Sequence, residues 1–112
     1  MAATYRDILT RTVKAGAAVV GKRMVGYNGQ HAGAGAVALG ASTTDAALDE
    51  HFPCMVLGVA IVTAGAAIAA GAAVEVGTAG KVITLNAGAK VGRAITAAGA
   101  DGDNIEVLLI PG

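Results

Sequence analysis

The chain is 112 residues long, which suits a single domain, and no linker-like stretch divides it. It is 54% hydrophobic yet only 3% aromatic, with 27 Ala and 17 Gly, so most of its apolar side chains bury little area and self-association is favoured. Eight basic and eight acidic residues cancel and lie scattered, which excludes the basic face of a nucleic-acid binder.

Residues 1–12 differ from the rest. They have little Ala/Gly character and concentrate Tyr5, Ile8 and Leu9 beside Arg6 and Arg11. Such types anchor interfaces, so the segment is expected to be a flexible N-terminal arm, with residues 13–112 as a β-rich body. Arg6, Asp7 and Arg11 stand where a signal peptide would carry its apolar stretch. TYRDILTRTV also suits a turn or two of amphipathic helix. AAVVGKRMVGY (17–27) reads as a strand pair or a bent strand, with Gly21 and Gly26 at bulge or turn positions. His31, in the loop-like GQHAGAG, is expected to be solvated. GAVALGAS (35–42) is a further strand, and TTDAALDEHF suits a short helix capped by Thr44 or Asp45.

His51 to Val74 carries no charged residue and is long enough to cross a membrane as a helix. Gly58, Gly65 and Gly71 interrupt it, Pro53 sits near its start, and no Lys or Arg flanks it closely. It reads better as a strand CMVLGVAIV, a turn-bearing TAGAAIAAG, and a strand AAVEV. Cys54, the only cysteine, reads as a small buried hydrophobe; His51 is three residues away, but no motif supports a catalytic pairing. GTAG (77–80) joins AAVEV to KVITL (81–85) as a hairpin, and VGRAITAA (91–98) follows NAGAK. AGADGD is a strong turn signal, and in the final strand NIEVLLI the side chains of Ile105, Val107 and Leu109 share one face.

Six to eight short strands at roughly ten-residue spacing indicate an all-β fold. The expectation is a small single-domain β-sandwich or barrel with Gly-rich turns, a flexible N-terminal arm and at most one or two short helices. No catalytic constellation, metal-ligand spacing or phosphate-binding loop is present, so neither enzymatic activity nor a cofactor is expected. With no export signal and no disulfide framework, synthesis is expected in the cytoplasm.

The stretch VLGVAIVTAGAAIAAGAAVEVGTAGKVITL and, above all, KVGRAITAAGADGDNIEVLLIP resemble the tailed-phage head decoration, or capsid cement, proteins. The likeness covers about residues 13–111 and is strongest from Val56 onward. It implies a structural protein of the virion, made in the host cytoplasm and bound to the outer surface of the expanded phage head. There it would stabilise contacts between major capsid subunits, its partners being the major capsid protein and further copies in a homotrimer, with no nucleic acid and no membrane. On that reading Tyr5, Arg6, Ile8, Leu9 and Arg11 are candidate capsid contacts, and Arg93 a candidate subunit-interface residue. The plainer alternative makes Arg93 an exposed strand residue, with Asp101 and Asp103 serving turn geometry. The alternative function is another virion-associated β-domain, a tail or fibre module that binds a carbohydrate or protein.

Overall fold

The computed structural model describes residues 6–109, and residues 6–8 by their backbone alone. Eight strands form one sheet: β1 (Arg6–Lys14), β2 (Met24–Val25), β3 (Gly40–Ser42), β4 (His51–Thr63), β5 (Ala73–Val76), β6 (Val82–Thr84), β7 (Gly92–Ala94) and β8 (Asn104–Leu109). The order is β2-β3-β4-β8-β7-β5-β6, and β1 pairs with β4. All named strand pairs are antiparallel. In β8 the expected alternation holds, with Ile105, Val107 and Leu109 buried and Leu108 exposed. The β5–β6 hairpin turns through Thr78–Gly80, where Gly80 has φ 76, a conformation that glycine adopts without a Cβ penalty.

The longest strand, β4, shapes the molecule. It pairs with β1 along residues 51–59, with β3 at Cys54 and Met55, and with β8 from Val59 to Thr63. Ser42 is opposite Cys54, the Lys22 N–H donates to the Ser42 carbonyl (2.8 Å), and the Thr63 N–H donates to the Lys22 carbonyl (2.8 Å). Straight strand would separate Cys54 from Thr63 by about 30 Å. Three hydrogen-bonded steps of about 5 Å each leave only about 15 Å. β4 therefore bends sharply. The bend fits Gly58, whose φ is 124 and beside which the β1–β4 register is irregular on both sides of Leu9.

The bend also exchanges faces. Before it, Phe52 and Cys54 join a small cluster with Ala15, Val19, Val25 and Ala46, while Met55 joins the main core. After it, Ala60 and Val62 belong to the main core. Even-numbered side chains thus change sides, as a one-residue irregularity in a period-two strand requires.

The main core is mostly Val and Ala, with Met24, Met55, Ile68, Ile105 and Leu109 as its larger members. Backbones come close enough at Gly40 and Gly92 that a Cβ there would run into the carbonyls of Met55 and Leu108. β6, at one end of the sheet, is bridged in parallel from Val82 to Ala64 just past β4, and Arg23, next to β2 at the other end, donates from Nη1 to the Ala79 carbonyl (3.0 Å). Of the two architectures expected, the chain has the barrel-like one.

Other expectations need correction. Within TYRDILTRTV the described residues, 6–13, are strand: residues 6–12 of the expected arm are the first seven of β1. TTDAALDEHF forms no helix either, because its polar groups are engaged elsewhere. The Asp45 carboxylate accepts the Gly21 N–H (2.7 Å), and Ala46 exchanges both backbone hydrogen bonds with Val19 (2.7 and 2.9 Å). AAVVGKRMVGY and GAVALGAS give only the short β2 and β3. The uncharged run supplies β4 and the first two residues of β5, and among the described residues no helix is long and apolar enough to cross a membrane.

Candidate interaction surface

The chemistry-bearing side chains do not gather. Among the described residues no three or more His, Cys, Asp or Glu come together. Cys54 is fully buried, whereas His51, three residues away, is exposed. Burial pushes the Cys54 thiol up to about 11 against the opposing pull of the Arg11 charge, the reverse of what activates a nucleophile. His31, expected to be solvated, is half-buried, and its Nε2 accepts the Val20 N–H (3.0 Å). Asp103 Oδ2 accepts the N–H groups of Gly99 (2.8 Å) and Ala100 (3.2 Å), and Asp101 pairs with Lys81 (2.9 Å). Both aspartates therefore shape the turn or tie it to the β5–β6 hairpin.

The surface is more informative. Residues 9–12 of β1 are exposed on both faces of the strand, and Leu9 is half exposed. Arg11 lies opposite Cys54 and Val13 opposite Phe52, so these two positions flank the small cluster. A turn locks against the end of β1. Asn28 Oδ1 accepts the Gln30 N–H (3.1 Å), Gln30 Nε2 donates to the Gly16 carbonyl (3.3 Å), and a Cβ at Gly29 (φ 78) would strike the Lys14 carbonyl. The turn places Tyr27, 64% exposed, on a hollow shared with Arg11, Val13 and Leu39. An exposed aromatic beside arginine and aliphatic side chains is the composition of an interface anchor. Sequence reasoning passed over Tyr27, although an aromatic directly before Asn-Gly marks an exposed turn.

Of the sequence candidates, Tyr5 lies outside the described residues, and Arg6 and Ile8 are placed by backbone only. Arg93, in β7, is exposed and its Nη1 donates to the Gly71 carbonyl (3.1 Å). Strand register relates it to β1. Arg6 is opposite Val59, Val59 opposite Leu108, and Leu108 opposite Arg93. These positions form one row across β1, β4, β8 and β7, spanning three strand spacings of about 4.8 Å each. In the next row Ile61 is opposite Glu106, whose carbonyl accepts the Ile95 N–H (2.7 Å). Leu108 (46% exposed), Ile95 (45%) and the half-buried Val59 and Ile61 make an apolar strip with arginine positions at both edges. Leu9 and Arg11 lie on β1 at one side of this strip and Arg93 at the other.

The architecture has a counterpart among solved structures. The N base of the head fibre gp8.5 of bacteriophage phi29 superposes with a TM-score of 0.78 at 18% identity, covering 91% of this chain and 93% of that one. At that identity the likeness is one of fold. Among curated proteins none matches the chain. The family model of the phage cement protein matches residues 3–109, which takes in every strand described above. The chain belongs to the phage cement protein family.

Proposed function

We propose that this chain is a cement protein of a tailed-phage head, bound to the outer surface of the expanded shell, where it stabilises contacts between major capsid subunits. The observation that carries the reading is the family match over residues 3–109. The surface supports it. The side of the barrel bearing β1, Tyr27 and Leu39 offers the anchor types for the major capsid protein. The strip ending at Arg93 offers apolar area for a neighbouring copy in a homotrimer. The division into an arm of residues 1–12 and a body of residues 13–112 belongs to the same proposal. Residues 9–12 expose both faces, and β1 finds its strand partner in β4 alone among the described strands, which leaves its other edge for a partner strand. The role is structural, and synthesis is in the host cytoplasm.

The test is reconstitution. Expanded heads lacking this protein are mixed with the purified chain, and the temperature at which they release DNA is recorded. Saturable binding with a higher release temperature is expected; heads that neither bind the chain nor gain stability contradict the function. The likeness to a head fibre base favours a second reading, a barrel that seats a longer appendage on the head. Binding to heads without any gain in stability selects that one.

A further inference from the structure

Glu75 is the one buried acidic side chain among the described residues, 5% exposed. It stands in β5 opposite Ile83 of β6. Its Oε1 accepts the Asn86 N–H (3.1 Å). Its Oε2 packs where a Cβ of residue 88 would be, in contact with Gly88 and close to Gly35. The Gly35 N–H donates to the Val76 carbonyl of β5 (2.8 Å), and the Ala89 N–H donates to the Gly35 carbonyl (3.0 Å), which ties the two glycine loops together. The carboxylate lines an open hollow of about 420 Å³ whose other walls include Ala34, Ile83, Asn86 and Ala87. Among the described residues no cation answers it. The ion pairs among the described residues are Lys14–Asp49 and Lys81–Asp101. The carboxylate has one N–H donor and no opposite charge among the described residues, and the hollow leaves a path by which a charge can reach it.

We propose that this hollow receives a cationic side chain, a lysine ammonium or an arginine guanidinium, from the head protein on which the chain docks. The identity of the donor rests on the function proposed above; the chemistry of the hollow does not. Ala34, Ile83 and Ala87 suit the methylene stem of such a side chain, and the carboxylate suits its tip. A metal ion fits less well. No three metal-ligating side chains gather among the described residues, and a hard divalent cation takes about six or more oxygens. Gly35 and Gly88 are part of the device, because a side chain at position 88 would displace the carboxylate.

The test titrates the isotope-labelled full chain with n-butylammonium chloride and with methylguanidinium chloride, using sodium chloride at equal ionic strength as the control. The expected result is a set of saturable amide shifts, in the millimolar range, confined to Gly35, Glu75, Asn86, Ala87 and Gly88. They are absent with sodium and lost in Glu75→Gln, whose amide oxygen still accepts from Asn86. On expanded heads Glu75→Gln is expected to bind tenfold more weakly. If the parent chain shows no local saturable shift the proposal is overturned, whatever the variant does. If Glu75→Gln binds heads as tightly as the parent, a head protein is not the donor. Should the parent bind no heads at all, the head-binding function falls, while the titration still decides the hollow.

Discussion

Val107 shows how a single position carries the fold. It is fully buried between Ile105 and Leu109 on the inner face of β8, where period-two alternation already puts it. Val107→Asp places an unpaired carboxylate in the core at a cost of several kcal/mol, against a total of about 5–15 kcal/mol for a domain. Circular dichroism of the variant is expected to show an unfolded chain; a melt equal to the parent's would mean that the strand register is wrong. Gly92 carries information that alternation does not. Gly92→Ala drives a methyl group into the Leu108 carbonyl across β7 and β8, and a loss of about 1–3 kcal/mol in denaturant melts is expected. Cys54 gives a pH signature. Burial raises its thiol from 9.0 to about 11, so the folded state holds the proton more tightly than the unfolded chain does. The stability this confers is full below pH 9.0 and is lost as pH rises through about 11. Cys54→Ala is expected to show a flatter alkaline decline, and parallel declines in the two proteins would contradict the assignment.

Strands with strong alternation and plain turns were legible before the structure, as β8 and the β5–β6 hairpin show. The bend in β4 was not, because a glycine within an apolar run does not announce which way the strand turns. What sets the bend is the closure through Ser42 and Lys22, contacts between distant parts of the chain. Gly58→Val tests it: φ 124 is closed to a β-branched residue, so the variant is expected to lose several kcal/mol or to fail to fold. The same long-range competition replaces the short helix that TTDAALDEHF suits, since Asp45 and Ala46 bond to Gly21 and Val19 rather than to their own turn. For β1, composition set the segment apart from the Ala/Gly-rich body but gave no sign of the pairing with β4. Removal of residues 2–12 leaves Val13 and Ala15 in the small cluster. The truncated chain is therefore expected to melt cooperatively and to bind expanded heads tenfold more weakly, about 1.4 kcal/mol. If it saturates heads at the parent's concentration, the capsid anchor lies elsewhere on the barrel.

The barrel as an assembled object explains why an Ala-rich chain suffices. Its core is narrow, its strands approach closely at Gly40 and Gly92, and its larger apolar side chains are shared between the core and an exposed outer strip. Membership of the cement family was legible from the C-terminal wording around Gly92, Arg93 and the Asp101–Asp103 turn. The surface was not, because the row that joins position 6 to Arg93 exists only once β4 and β8 lie between them. Where the molecule sits, and in what number, decides between a cement protein and a tail module. A cryo-electron-microscopy map of mature heads decorated with the full chain tests it most directly. Barrel-shaped density is expected on the outer surface at three-fold or quasi-three-fold positions, three copies to a site, with the β1 side against the major capsid protein. Isolated single copies, two-fold pairs, or density confined to the tail would contradict it.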